Sequence, residues 1–527
     1  MVCAAVLVFA HVLFPAWREA VPVPPSAWVV LLVAMLPWVQ LAAGMPGFRG
    51  DAALASLYLL GFGLTQIVGH RAACVWGLER VLELVSWVFL TGAILSVALA
   101  TYQWLQLDFL GAMVGDVTRG SRVFANLNQP NQLATLLILG LICAACLFDA
   151  SSFGATVALC LVGVLAFGLA MTQSRGVVLQ ALVAGALLLF KSATFGRALT
   201  RRHVLIASAV VLLMPLLWNE INSMLALSEA RDPEQAALAG SRRVIFWSAM
   251  ADAVSQRPWA GFGWAQTTVA QFAVAVDHPP LHEVFSHSHN LWVDLVLWNG
   301  LPVGLCLCAA SVLWLWASVR AVQGSTATLM LVFVVAVVVH AMLEYPLYYA
   351  YFLAPVGLVM GALHSATNAP GKARLLPAWT VFALATVALT LMTAIAVDYF
   401  RLERDIERLR FERARIGTDR PVHQLSQPLL LTQLGAFTHF ARTPERHGMD
   451  DGELQAMAEV VARYPAPENI VRYAAALAVN DRPQLATNAL RRVHRINSAA
   501  DADRMRQLWR ALGEREPAVA RVAWPEG

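Results

Sequence analysis

Residues 282–319 read HEVFSHSHNLWVDLVLWNGLPVGLCLCAASVLWLWASV, with His282, Glu283, His287 and His289 crowded into eight residues ahead of an apolar run. From residue 300 to 319 there is no charged side chain. About twenty such residues, rising 1.5 Å each as a helix, cross a hydrocarbon core of about 30 Å. The stretch therefore reads as a polar cluster at a membrane boundary.

The rest of the chain agrees. Of 527 residues, 58% are hydrophobic and only 14% charged, with a mean hydropathy of +0.60. A soluble protein of this size carries roughly a quarter charged residues. The net charge of +4 calls for no nucleic-acid partner, and Lys191 and Lys372 are the only lysines among many arginines. Seven cysteines lie mostly inside apolar runs; CAAC at 143–146 has a metal-like spacing but no second pair, so it reads as helix interior.

Twelve runs qualify as spans, near 2–14, 27–45, 51–69, 82–105, 131–148, 153–172, 177–190, 203–218, 300–319, 325–343, 346–364 and 375–397. The first leads on to further spans, so no cleavable signal peptide is expected. The basic segments KSATFGRALTRRH (191–203), GHRAACVWGLER (69–80) and HSATNAPGKAR (364–374) belong on the cytoplasmic side. Alternation then gathers 106–130, TQSRG (172–176), the loop 219–299 and EYPLYY (344–349) on the opposite face. The same parity puts the N-terminus and the tail after residue 397 there too, and so short a first span points to a missing initial helix.

The expected fold is thus an all-α polytopic membrane protein of about 11–12 transmembrane helices. Residues 1–397 form the membrane domain, with 219–299 as an outer loop, and 398–527 a soluble helical domain. DYFRLERDIERLRFERARIG (398–417) is a charged amphipathic helix running out of the last span and ending at Gly417. Beyond it the Pro and Asn-Asp breaks pattern like tetratricopeptide-type helical hairpins, suited to docking.

Five clusters on the outer face carry candidate chemistry. In TQSRG, Arg175 is either an interfacial arginine reaching headgroups or an anion clamp, since guanidinium grips phosphate oxygens with two donors, and Gln173 stands beside it. In SRRVIFWSAM (241–250), Arg242 and Arg243 open an amphipathic helix whose apolar side carries Ile245, Phe246 and Met250. GFGW (261–264) is a turn, too short for a nucleotide fingerprint.

The spacing of HSH suits a strand or loop rather than a helical zinc site, and no metal is assigned. A histidine general base is favoured, because imidazole titrates nearest neutrality. His289 is preferred to His287, because Asn290 and LWVDLVLW begin a helix there, with Asp294 or Glu283 available to orient the ring. EYPLYY adds Glu344, Tyr345, Tyr348 and Tyr349, which interfacial anchoring also explains. ANLNQPNQLA concentrates Asn126, Asn128, Gln129, Asn131 and Gln132 at a helix start, with Asn128 as the expected cap and carbohydrate hydroxyls as a plausible client.

Taken in order over roughly residues 27–365, ANLNQPNQLA, TQSRG, SRRVIFWSAM…RPWAGFGW, HSHNLWVDLVLWNGLPVGL and EYPLYYAYFLAPVGLVMG resemble the O-antigen ligase and polymerase superfamily of bacterial inner membranes. The likeness is greatest to its pilin-glycosylation branch, the protein O-oligosaccharyltransferases. That resemblance implies a GT-C-like fold and transfer of a preassembled glycan from undecaprenyl diphosphate to an acceptor at the periplasmic face, with no cofactor. It implies His289 as base, Arg175 and Arg243 (or Arg242) on the diphosphate, and Gln173, Tyr345, Glu344, His287 and Asn290 in support. The partners implied are the lipid-linked glycan, a pilin or other periplasmic protein as acceptor, and membrane lipid, with no nucleic acid. Two rivals stay open: ligation to lipid A core or glycan polymerisation, and transport of a lipid-linked solute. Transport fits less well, since the charges gather at one face and no inverted repeat is visible.

Overall fold

The computed structural model describes residues 20–45, 47–118, 121–195, 198–224, 233–366, 373–414, 416 and 425–525. The run 2–14, Lys372 and Gly417 lie outside these residues.

In chain order the helices are α1 (Pro25–Val33), α2 (Leu36–Ala42), α3 (Arg49–Trp76), α4 (Leu78–Trp104), α5 (Pro130–Asp149) and α6 (Ala155–Thr172). They continue with α7 (Gly176–Phe190), α8 (Arg201–Met224), α9 (Pro233–Gln256), α10 (Thr267–Val274), α11 (Leu291–Ala321), α12 (Ser325–Ala341) and α13 (Ala350–Ala366). The long α14 (Ala378–Arg413) precedes α15 (Thr432–Arg442), α16 (Asp451–Arg463), α17 (Pro467–Val479), α18 (Pro483–Ile496), α19 (Ala499–Gly513) and α20 (Pro517–Ala520). Among the described residues eight helical stretches are long and apolar enough to cross a membrane, and α7, α12 and α13 are shorter apolar helices. The protein is an all-α, multi-pass membrane protein, and each expected run from 27–45 onward overlies a helix.

The described residues fall into two compact units, those within 1–31, 60–233 and 311–385, and those within 32–59, 234–310 and 386–527.

The first unit is centred on α12, buried almost end to end from Ala327 to Val337. A helix apolar all round is stable only inside a bundle. Close packing comes from small residues: a Cβ added at Gly140 would lie 2.6 Å from Ala93, and one at Gly168 would lie 2.6 Å from Val97. That is the device by which membrane helices gain contact where water cannot drive association. Gly69 and Gly361 do the same between α3 and α13, where any side chain would meet the opposing backbone. An antiparallel ribbon of β1 (Ala20–Val23) and β2 (Arg374–Pro377), with Ala20 opposite Pro377, has no signal in the sequence.

In the second unit the helix expected after Asn290 does begin at Leu291, but it departs from expectation in being broken at Gly300 (φ 71°, ψ 176°). A broken helix orphans carbonyls and amides that lipid cannot satisfy. Pro258 and the GFGW turn after it satisfy them. Phe262 and Gly263 N–H donate to Leu297 O (2.9 Å) and Trp298 O (3.0 Å), and Leu301 N–H donates to Pro258 O (2.7 Å). The backbones approach so closely that a Cβ at Gly261 or Gly300 would lie 2.6 Å from the other strand. Gln40 adds a clamp, donating to Trp298 O and Asn299 Oδ1 (both 3.0 Å) and accepting from Trp264 N–H (2.9 Å).

The tail helices pack around Val461, Ile470, Ala474, Leu490 and Val493. Asp450 and Glu453 form a capping box at the start of α16. Residues 272–282 join this core. Arg492 Nε donates to Phe272 O (2.7 Å), and Leu281 and His282 N–H donate to Arg495 O (2.8 and 3.1 Å). The start of α3 is tied in as well: buried Asp51 accepts from Arg463 Nη2 (3.0 Å) and Gln266 Nε2 (3.1 Å). The last expected span and the charged amphipathic segment are one continuous helix, α14, whose buried Asp398 accepts from the Leu429, Leu430 and Leu431 amides at 2.6–3.2 Å.

Removing one member of a buried ion pair strands the other. Because Arg463 is 22% exposed, the cost is set toward the low end. Arg463→Ala is expected to destabilise the protein by about 3 kcal/mol. Adding Asp51→Ala to that variant should then cost less than Asp51→Ala costs in wild type, where the Arg463 bond is lost along with those from Gln266 and Phe48, read as thermal unfolding in detergent. Additive losses would contradict the pairing.

Candidate functional site

Two clusters hold the candidate residues, one in each unit. In the second unit the cluster forms where α9 meets the loop before α11. α9 starts at Pro233, so Arg242 and Arg243 do not open the helix as expected but sit within it. Positions three and four apart share a helix face. Arg242 therefore lies over Phe246, which is buried and packs on Phe285 with ring centroids 4.4 Å apart. Its guanidinium is exposed and 3.8 Å from the Glu283 carboxylate. Arg243, half-buried, shares its face with Trp247, whose indole N–H donates to Ser288 O (2.8 Å).

Ser288 is the anchor of the loop. Its N–H donates to Asp294 Oδ1 (2.9 Å) and its hydroxyl to Asn290 O (2.7 Å). Asp294, 2% exposed, also accepts from Thr267 Oγ1 (3.2 Å). Asn290 Oδ1 accepts from Trp292 N–H (3.0 Å) and Val293 N–H (3.3 Å), capping the first turn of α11. Between these two fixed residues His289 takes left-handed backbone, φ 57°. That costs a non-glycine residue about 1–2 kcal/mol and is kept only where neighbours over-determine it. Its ring meets Phe285 edge-on, centroids 5.8 Å apart. Of the two carboxylates expected to orient the ring, Asp294 thus holds the backbone before it and Glu283 lies against Arg242.

His287 and His282 differ from His289. Burial, then the charges of His289 and Arg463, pull the His287 pKa down to about 4. His282 Nδ1 lies 3.1 Å from Asn497 O, against the tail helices.

In the first unit the cluster forms where α5 and α7 begin and α12 ends. Thr172 closes α6, and Gln173 follows in left-handed backbone (φ 48°). Arg175 is exposed at the head of α7. Asn131 Oδ1 accepts from Ser174 Oγ (2.8 Å) and from Arg122 Nη2 (2.8 Å), while its Nδ2 donates to Glu344 Oε1 (3.0 Å). Glu344 is 6% exposed. Tyr345 follows it and stacks on Tyr349 with centroids 6.2 Å apart.

The amide cluster spends much of its capacity on the protein. Gln129, not Asn128, caps α5, accepting from Gln132 N–H (2.8 Å); Asn128 is exposed with φ 57°. Asn126 Nδ2 donates to Met113 O (2.9 Å) and its Oδ1 accepts from Gly115 N–H (3.3 Å). Gln132 is fully buried. Sequence reasoning missed three organisers: Gln103, which is hydrogen-bonded to the backbone of Gly115, Phe124 and Ala125, and Arg122 and Ser288. Arg122 stood in plain view four residues before Asn126.

Below the ordinary histidine pKa of about 6.5, the unfolded chain binds a proton at residue 287 that the folded chain refuses until about pH 4. Stability from this group is therefore full above pH 6.5 and is lost as pH falls through that window. Melting of wild type and His287→Gln at pH 7.5 and 5 should show a larger acid loss for wild type; equal losses would contradict it.

Three family descriptions match successive parts of the chain: protein glycosylation ligase at residues 123–148, O-antigen ligase at 138–308, and the C-terminal part of a virulence-factor membrane-bound polymerase at 328–510. The general O-oligosaccharyltransferase of Acinetobacter baylyi is 28% identical over 90% of this chain and 84% of its own length. The ComP-specific O-oligosaccharyltransferase of the same organism is 29% identical over 64% of this chain and 61% of its own. The resemblance carried by the five motifs therefore holds.

Proposed function

We propose that the chain is a glycosyltransferase of the oligosaccharyltransferase and O-antigen ligase kind, and that it transfers a preassembled oligosaccharide from undecaprenyl diphosphate to serine or threonine hydroxyls of a pilin or another periplasmic protein. The membrane is the bacterial inner membrane, with the reaction at its periplasmic face. The observation that carries the mechanism is His289, held in strained backbone between two hydrogen-bonded neighbours at a helix start. Similarity to two O-oligosaccharyltransferases supports the substrate class.

An acceptor hydroxyl is a weak nucleophile at neutral pH. Its oxygen attacks the anomeric carbon of the donor while its proton passes to the His289 ring. The bond from that carbon to the diphosphate oxygen breaks, and the lipid diphosphate leaves with an added negative charge. Arg175 and Arg243 neutralise it, an electrostatic contribution that is commonly the largest in such sites. Arg243 is preferred to Arg242 because it shares a helix face with Trp247, which holds Ser288 next to the base. Gln173 and Tyr345 support the donor, and a single displacement inverts the sugar carbon. A second reading, O-antigen ligation or polymerisation, is favoured by the polymerase match at 328–510.

His289→Ala, Arg175→Ala and Arg243→Ala should each cut glycan transfer at least about a hundredfold with the protein still inserted, while Arg242→Ala loses under tenfold. The readout is intact mass of a co-expressed acceptor in cells making lipid-linked glycan. Normal transfer by His289→Ala would sink the base assignment.

A further inference from the structure

We propose that Arg122 is a positioning residue for glycan transfer, acting through Asn131 on the 172–175 turn and on Glu344. The proposal rests on the reading in which Arg175 holds the donor diphosphate.

Three segments far apart in sequence meet at one amide. Arg122 Nε donates to Thr172 O (2.8 Å) and its Nη2 to Asn131 Oδ1 (2.8 Å). Ser174 Oγ donates to the same oxygen (2.8 Å), so both its lone pairs are used. The Asn131 NH₂ group donates to Glu344 Oε1 (3.0 Å). The turn is thus held on both sides of Gln173, at Thr172 and at Ser174, immediately before Arg175. It cannot shift without breaking a bond to Arg122 or Asn131.

Electrostatics give the chain of bonds a direction. Glu344 is a buried carboxylate, which is costly without donors and a nearby positive charge. The guanidinium pulls electron density from the Asn131 carbonyl and makes its N–H groups better donors to that carboxylate. An amide can accept from a cation through its oxygen and donate to an anion through its nitrogen at once. Asn131 is accordingly a linker of protein groups, and its capacity for a sugar hydroxyl is one remaining N–H.

A charge swap tests this. Asn131→Asp sets two carboxylates against each other at the 3.0 Å contact, so one must carry a proton. Purified in nanodiscs with a lipid-diphosphate glycan and acceptor protein, it should lose about thirtyfold in kcat/KM at pH 7.5 and recover as pH falls. In Asn131→Asp/Glu344→Gln the amide and carboxylate are exchanged; Asp still accepts from Arg122 and Ser174 and now also from Gln, so kcat/KM should return to within about threefold of wild type. Hydrogen exchange of the 173–176 amides should quicken about tenfold in Arg122→Gln and Asn131→Asp and revert in the swap. A swap as slow as Asn131→Asp, or turn exchange unchanged by Arg122→Gln, would overturn the proposal. Failure of wild type to use any lipid-diphosphate donor would instead overturn the functional reading, and the exchange comparison would still decide the positioning.

Discussion

Asp294 accepts the Ser288 amide and the Thr267 hydroxyl from a place 2% exposed, one turn into a membrane-length helix. Everything around the candidate base follows from that hydrogen-bonded carboxylate. With Ser288 fixed, its hydroxyl reaches Asn290 O and its carbonyl takes the Trp247 indole, so helix α9 is drawn against the loop. His289 is left with one backbone conformation, a left-handed one. The strain is sustained because several bonds on either side would have to break to release it.

The same constraint, that polar groups beside hydrocarbon must find partners, explains the other motifs. The helix break at Gly300 is tolerated because the GFGW turn supplies the missing donors and Pro258, just before it, the acceptor. In the other unit Asn131 satisfies an arginine, a serine and a carboxylate together. Motifs that look like unrelated patches along the chain are pairs of surfaces that satisfy one another.

The sequence made the membrane architecture legible because hydrocarbon thickness sets helix length directly; runs such as 131–148 and 153–172 coincide with α5 and α6. The placement of the TQSRG turn and of Asn290 at a helix start was legible too, since caps and breaks are local. What escaped depended on distant partners. The β1–β2 ribbon pairs opposite ends of the membrane sequence. The start of α9 at Pro233 moved the arginine pair into a helix interior. The cap at Gln129 rather than Asn128 turned on one residue's backbone angle, and Arg122 gained its meaning only when Thr172 and Asn131 came beside it. Packing of residues 272–282 into the tail core was equally invisible, because the apolar contacts of Phe272 and Ala275 look like any loop hydrophobics.

The most direct measurement is made in a host that lacks its own O-antigen ligase but makes lipid-linked glycan, expressing this chain with a pilin and weighing both pilin and lipid A. The account predicts a glycan-sized mass increase on pilin serine or threonine that disappears in His289→Ala. Glycan on lipid A alone, with the pilin unmodified, would contradict it.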